Sequence, residues 1–400
     1  MLDQHGAPSG AARDQPLSFH WRGVSQGQLD DLGLPPTGTP RRDFARCAVL
    51  ANLVVAHASG RWVSYSRDRN HYTGQSRYQS EAYTYQNVLS VVDEFRTSGL
   101  IHEERAAPGH SGWQSRMTAS AKLIGRLPSL HQLYYSPYEL VRLKDGDGRL
   151  VGYDDTPRTQ RMRRELADLN EALRSVSISL TAADVAWAGI AVRIDGQIVH
   201  PVRVEGYRVF NGGWTLGGRL YGTFWQSLPS ARRAQLLIDG SAIHEHDFSQ
   251  LHPRLLYAEF GLEPSGDAYC VDGYEQQRGL VKCAWQIMIN AQTRRSGLVA
   301  LAKELGGYHH QSESAQVLSA LEKRHAAIST AFYTSAGRRL QYVDSELLMR
   351  IEKLCLSEGI VALPVHDSFI VPVTHSARTV EIMDDELAIT LAARGKRRRK

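Results

Sequence analysis

The chain has 400 residues, of which 42% are hydrophobic, and a formal net charge of +5. This length suggests two or three domains with a normal globular core. It contains no run of about 18 apolar residues, no signal-peptide pattern and no C-x-x-C pair among its four cysteines. We therefore expect a cytoplasmic protein with reduced thiols and no membrane partner.

The N-terminal residues 1–37 are rich in Gly, Pro and Ser, which predicts a flexible leader. Thr39-Pro40 has the pattern of a helix start, and apolar residues at helical spacing follow from Phe44 to Val54. The opposite end is a basic tail, GKRRRK at 395–400. It is interpreted either as a solvated end or as an arm that contacts phosphate.

Residues 38–130 show helix, strand, loop and strand in the order of a winged helix. The helical pattern stops at Gly99, as a glycine after a helix end should. The surface that could meet DNA phosphates and grooves is the polar face of the helix, with Gln86, Asn87 and Arg96, and the loop with Arg105, His110 and Arg116. Winged helices also dock proteins, so a docking or structural role is the alternative.

Residues 131–200 are predicted to form a helical connecting region, with one helix running from Thr156-Pro157 to about Arg174. Residues 201–394 contain strands of mixed length separated by longer helices. We place domain boundaries near 130 and near 200.

Three segments of the C-terminal half carry the residues of chemical interest. GGRLYGTFWQSLP contains Arg219 and Gln226, and DFSQLHPR runs from Asp247 at the end of a predicted strand to Arg254. GIVALPVHDSFIVP has two apolar halves around a polar centre, which predicts a β-hairpin with His366 and Asp367 at its tip.

Asp247 and Asp367 could hold two Mg²⁺ ions if folding brings them side by side, with the backbone carbonyl of Phe248 as a further ligand. Two ions about 3.5–4 Å apart stabilise the attacking and leaving oxygens of a phosphoryl transfer. Mn²⁺ is the alternative ion. Taken singly, each aspartate has the ordinary interpretation of a capping or turn residue.

Between the two acids, four polar side chains recur every fourth residue and share one helix face: Arg278, Lys282, Gln286 and Asn290. Two cations one turn apart suit a triphosphate and would neutralise a leaving pyrophosphate. Alone, this pattern is an ordinary exposed helix face.

Read together and in this order, the segments resemble the palm and fingers of family A DNA polymerases and of single-subunit, phage-type RNA polymerases, over about residues 205–375. The resemblance implies an α+β fold with a thumb-like 131–200 region and a palm with reduced fingers at 201–394. It implies catalytic roles for Asp247, Asp367 and Lys282, with Lys282 as a general acid.

The resemblance also divides the remaining candidates between two substrates. It implies nucleotide contacts for Arg278, Lys282, Gln286, Asn290 and His252 and primer–template contacts for Arg219, Gln226, Arg254 and His366, to which the winged helix adds Arg96 and Arg116. His252 stands where family A has its sugar-excluding glutamate, Gln286 and Asn290 replace fingers aromatics, and the hairpin reads His-Asp-Ser as in the RNA enzymes. The choice between ribose and deoxyribose therefore stays open.

We expect a template-directed nucleotidyltransferase, DNA polymerase or primase-like, without a proofreading exonuclease. Its partners would be a DNA template, a primer, nucleoside triphosphates and other replication proteins, and its origin bacterial or a mobile element. One alternative is a non-catalytic winged-helix replication initiator or DNA-binding regulator with a degenerate polymerase-like domain. Another is a nuclease, which would need more acids near Asp247 than Glu245.

Overall fold

The computed structural model describes residues 14–73, 76–107, 114–127, 133–181, 186–188 and 191–397. The prediction of an α+β fold is confirmed, because helices combine with several antiparallel sheets. Within these ranges, no helix has the length and apolar character needed to cross a membrane. His110 and residues 398–400 of the basic tail lie outside the described residues.

Several helices begin at recognisable signals: Thr84 accepts a hydrogen bond from the Asn87 amide at the start of one helix, and proline opens two others. In chain order the helices are α1 (Gln26–Asp31), α2 (Pro40–Ala58), α3 (Tyr85–Thr97), α4 (Ala121–Ile124), α5 (Pro157–Ser175), α6 (Ser230–Arg233), α7 (Leu251–Glu259), α8 (Arg278–Asn290), α9 (Arg294–Glu304), α10 (Gln311–Arg324), α11 (Ala336–Ser357) and α12 (Ser376–Arg397).

The strands are short, and most pair with antiparallel neighbours. In chain order they are β1 (Gln15–Pro16), β2 (Trp21–Arg22), β3 (Val63–Tyr65), β4 (Ile101–Glu104), β5 (Ser115–Ala119), β6 (Tyr134–Tyr135), β7 (Val141–Lys144), β8 (Ile178–Leu180), β9 (Ala186–Ala188), β10 (Ala191–Ile194), β11 (Gln197–Val199), β12 (Tyr207–Asn211), β13 (Gly217–Tyr221), β14 (Leu236–Ile238), β15 (Ser241–Asp247), β16 (Leu363–Val365) and β17 (Ser368–Pro372).

The chain forms two compact units, and unit 1 comprises Met1–Leu140, Ile178–Tyr207 and Gly222–Leu236. Its main sheet has the order β1-β3-β5-β4, in which β3, β5 and β4 pair antiparallel and β1 is parallel to β3. The apolar faces of α2 and α3 supply much of the hydrophobic core of this unit.

Residues 14–37 differ from the flexible leader that their composition predicted. They form β1, β2 and α1, and Leu17, Phe19 and Trp21 are only 6%, 4% and 5% exposed. Leu17, Phe19 and Trp21 alternate with the polar residues Ser18 and His20, and they are buried in the core of unit 1 together with Leu29, Leu32 and Leu34.

The 131–200 region also differs from its prediction. Its helix is present as α5, but β6 to β11 occupy much of the rest, so the region is not mainly helical. Its two halves belong to different units, because Ile178–Tyr207 is part of unit 1 whereas Val141–Ser177 is part of unit 2. The predicted boundaries near 130 and 200 therefore do not match the division of the structure.

Unit 2 comprises Val141–Ser177, Arg208–Tyr221 and Leu237–Lys400. Its central strands lie in the order β16-β17-β15-β14, all antiparallel, and the predicted hairpin is present as β16 and β17. The long helix α11 contacts β13, α5, α7, α8 and α12. A second small sheet pairs β12 in parallel with β7 and places β13 beside β12.

A buried histidine links three elements of unit 2. His325 Nε2 lies 2.9 Å from the backbone oxygen of Ala268, and its Nδ1 lies 2.8 Å from the Tyr257 hydroxyl. A carbonyl oxygen only accepts, so Nε2 carries the proton and Nδ1 accepts from Tyr257. The ring also packs 4.7 Å from Trp285 between ring centroids. Burial lowers the pKa of His325 to about 4.

We predict an acid-sensitive contribution to stability from His325. Its pKa is lower in the folded protein than in the unfolded chain, so this contribution is complete above pH ~6.5 and is lost as the pH falls to about 4. The loss amounts to at most about 3 kcal/mol of unfolding free energy. Urea unfolding followed by Trp fluorescence should show it in the wild type and not in His325→Gln; equal pH slopes for the two proteins contradict the assignment.

Candidate functional site

A cleft of about 470 Å³ in unit 2 collects most of the site residues that the sequence predicted. It is lined by Arg219, Asp247, Phe248, Ser249, Gln250, Leu251, His252, Tyr269, Arg278, Lys282, Gln286, Gln341 and Asp367. These residues come from the ends of β15 and the hairpin, from β13, α7, α8 and α11, and from the loop before α8. Polar and charged groups therefore converge on one concave surface.

The two aspartates lie next to each other because of strand register. Asp247 is paired directly with Ser368, so Asp367, the preceding residue, stands beside it at the hairpin turn. The turn places His366 in the left-handed region with a φ of 57°. Burial and the neighbouring charge of Asp367 raise the pKa of Asp247 to about 6, although Lys282 lowers it in part. The pair is thus an unfavourable concentration of negative charge that a cation would relieve.

The donor set fits a hard divalent ion that keeps other oxygen ligands. Asp247, Asp367 and the backbone of Phe248 border the same cleft, and carboxylate and carbonyl oxygens are the ligands that Mg²⁺ prefers. No group of three or more His, Cys, Asp or Glu side chains suited to a metal occurs in the described ranges. Glu245 instead accepts from the Ser368 hydroxyl at 3.0 Å and does not line the cleft. Substrate oxygens and water would have to complete the coordination.

The opposite wall of the cleft is the polar face of α8. Arg278 Nε is 2.7 Å from Asp267 Oδ2, and its guanidinium lies 5.1 Å from the centroid of the Tyr269 ring. Lys282 is exposed, and its ammonium has no ion-pair partner in the described part of the chain. It is therefore the cation on this wall that is available to an incoming anion.

Two residues of the predicted helix face, Gln286 and Asn290, have different surroundings in the structure. Gln286 lines the cleft, but Asn290 does not. The Asn290 amide donates to the backbone oxygen of Gln286 at 2.8 Å. Its side chain also packs against Gly337, where an added Cβ would collide with Asn290 Oδ1. Asn290 therefore has a packing role here, and the nucleotide contact predicted for it is not supported by the geometry.

Asp344 on α11 is a site residue that the sequence analysis missed. Its side chain has no solvent exposure, and its Oδ2 lies 2.6 Å from Arg219 Nη2 and 2.8 Å from His252 Nε2. Arg219 is also attracted by the charge of Asp367, so Asp344 and Asp367 together raise the pKa of its guanidinium above the usual value, against the effect of burial. Asp344 thereby fixes two residues that border the cleft.

Other predicted strand-binding residues lie outside this cleft. Arg254 lines a neighbouring cavity of about 1170 Å³, which shares Ser249 and Gln250 with the cleft. His366 packs against Tyr221 with 6.1 Å between ring centroids. Gln226 belongs to unit 1, in a 3-10 turn at Phe224–Ser227.

The arginines predicted to contact DNA from unit 1 are held in ion pairs. Arg96 lies 3.4 Å from Glu103 and 3.9 Å from Asp93. Arg116 is 2.7 Å from Glu104, and its guanidinium lies 4.7 Å from the Trp62 ring. Their charges are therefore partly balanced within the unit.

Replacing the buried carboxylate should destabilise unit 2. In Asp344→Asn, Arg219 loses its buried partner charge, and we expect the unfolding free energy to fall by about 3–5 kcal/mol. Asp155→Asn is the matched control, because Asp155 pairs with Arg163 at 2.7 Å but is 45% exposed; its cost should stay below about 1 kcal/mol. Equal losses in chemical denaturation would refute the burial argument.

Comparison with known proteins adds no family to this geometry. No protein-family model matches the chain, and no curated protein is significantly similar to it. The chemistry of the cleft therefore has to be inferred from its own side chains, which include two adjacent carboxylates and two cations.

Proposed function

We propose that the protein is a template-directed nucleotidyltransferase and that unit 2 is its palm, with reduced fingers formed by α8 to α10. The observation that carries this proposal is the position of Asp247 and Asp367 beside each other, facing Arg278 and Lys282 across one cleft. This arrangement suits an in-line phosphoryl transfer, in which the acids and the cations stabilise opposite ends of the transferred group.

The side chains have separable roles in this proposal. Asp247, Asp367 and the Phe248 carbonyl would hold Mg²⁺, which when bound makes the primer 3′-hydroxyl more acidic and neutralises charge on the transferred phosphate. Lys282 binds the triphosphate and donates a proton to the leaving pyrophosphate. Arg278, held by Asp267, contributes a fixed positive charge on the same wall.

The primer–template would occupy the cavity beside the cleft. Arg254 lines that cavity and has no ion-pair partner among the residues that the structure describes, so its guanidinium can bind a backbone phosphate. Arg219, fixed by Asp344, borders the carboxylate pair and can position the primer terminus. Gln341, one turn before Asp344, adds a polar side chain to the cleft that the sequence analysis missed.

Unit 1 would bind duplex DNA as a winged helix. The order α2, β3, α3, β4 and β5 and the pairing of β3, β5 and β4 support this assignment. Arg96 and Arg116 are 46% and 34% exposed in their side chains, so phosphate oxygens can compete for them with their carboxylate partners. Such a unit would deliver the palm to a particular duplex.

The two aspartates should be essential for synthesis. We expect primer extension on a DNA template with Mg²⁺ to fall about 1,000-fold or more in Asp247→Asn and in Asp367→Asn, because each change removes a charge that holds the ion. Asp155→Asn is the control, because Asp155 forms an exposed ion pair and does not line the cleft; it should extend primers at the wild-type rate. Equal extension by wild type and both cleft variants would refute the proposal.

The same assay separates the rival functions. Duplex binding without synthesis by the wild type identifies a non-catalytic binder, and degradation of the primer identifies a nuclease. Supplying ribonucleotides and deoxyribonucleotides separately, with and without a primer, shows which sugar the incoming nucleotide must carry and whether synthesis needs a primer. Mn²⁺ in place of Mg²⁺ tests the ion.

Duplex binding should depend on the unit 1 arginines through charge. In Arg96→Ala or Arg116→Ala, the plot of log K against log salt should become shallower by about 1, because one phosphate contact is lost. Arg149→Ala is the control, since Arg149 is 79% exposed and belongs to unit 2. Unchanged slopes in both unit 1 variants, measured by fluorescence anisotropy, would contradict DNA contact through these residues.

A further inference from the structure

The loop before α8 is anchored at three successive residues. Asp267 accepts from Arg278, and the Ala268 amide donates to Gln250 Oε1 at 2.6 Å while its carbonyl accepts from His325. Tyr269 follows, only 4% exposed, with its ring edge-on to Trp285 at 6.3 Å. This loop is therefore a fixed wall of the cleft, and Tyr269 has little freedom to move.

The Tyr269 side chain borders the cleft, and no described residue is a hydrogen-bond partner of its hydroxyl. Burial raises its pKa to about 12, and nearby Asp367, Asp267 and Asp247 act in the same direction, against Arg278. The phenol is therefore a neutral donor at ordinary pH. Because the hydroxyl borders the cleft and has no described protein partner, it can donate to a ligand oxygen that enters the cleft.

Two cations stand next to Tyr269 on this wall, one of them paired with Asp267. The guanidinium of Arg278 lies over the ring at 5.1 Å, and Lys282 is one turn further along α8. The helix itself begins at Arg278 without a side-chain cap, so its first backbone amides carry partial positive charge. A ligand with several anionic oxygens can accept hydrogen bonds from all of these donors. A sugar hydroxyl can accept from only one or two of them.

We propose that the Tyr269 hydroxyl donates a hydrogen bond to a phosphate oxygen of the bound nucleoside triphosphate, alongside Arg278 and Lys282. This inference rests on the proposed function, because it deepens the description of the same cleft. Tyr269 is then a binding residue for the polyphosphate and makes no contact with the sugar or the base.

The test removes the hydroxyl alone. Tyr269→Phe keeps the ring, its contact with Trp285 and its stacking under Arg278. Binding of sodium tripolyphosphate and of ATP is measured by calorimetry with Mg²⁺ and a primer–template whose primer lacks its 3′-hydroxyl. Both ligands should bind about 5- to 10-fold more weakly to Tyr269→Phe than to wild type. The melting temperature should stay within about 2 °C, since no protein hydrogen bond is lost.

Two controls separate the possible failures. Tyr308→Phe alters a tyrosine that is 71% exposed and outside the cleft, and it should leave both affinities unchanged. Binding that Lys282→Ala weakens and Tyr269→Phe does not would overturn this inference and leave the proposed function intact. Weakening of ATP alone, with tripolyphosphate unaffected, would also overturn it. If wild type binds neither ligand, the proposed function fails and this inference fails with it.

Discussion

The register of one strand pair determines the chemistry of unit 2. Because β15 and β17 pair Asp247 with Ser368, two carboxylates that are 120 positions apart in the chain become neighbours. A shift of one residue would turn the side chains of β17 to the other face of the sheet and separate the acids. Phe369, Ile370 and Val371 are fully buried, so both faces of β17 are packed, and the shift would exchange side chains of different shape between those faces.

The cleft is held in shape by buried polar contacts around it. Asp344 fixes Arg219 and His252 on one side, and His325 fixes the loop that carries Tyr269 on the other. Removing one partner of either contact would leave a buried polar group unsatisfied. This lowers the free energy of unfolding more than the loss of a surface ion pair does. Arg219, His252 and the loop that carries Tyr269 are therefore held in place before any ligand arrives, which suits the proposed function.

The sequence alone predicted the local features and most of the acids and cations of the cleft. Three features could be predicted because each depends on residues close together in the chain. They are the helix that stops before Gly99, the hairpin around His366 and Asp367, and the polar face of α8. Asp344 was not recognised, although a charge within the apolar stripe of Leu340, Leu347 and Ile351 was an available signal. Tyr269 had no such signal, because a loop position shows no period.

The path of the chain has a consequence for how this protein can be divided. Unit 1 and unit 2 each consist of three separate stretches, so the backbone passes between them five times. Arg219 belongs to a short segment of unit 2, Arg208–Tyr221, which is preceded and followed in the sequence by segments of unit 1. Neither unit can therefore be cut out as an N-terminal or C-terminal half. Recombination at any single junction would leave at least one of the two units incomplete.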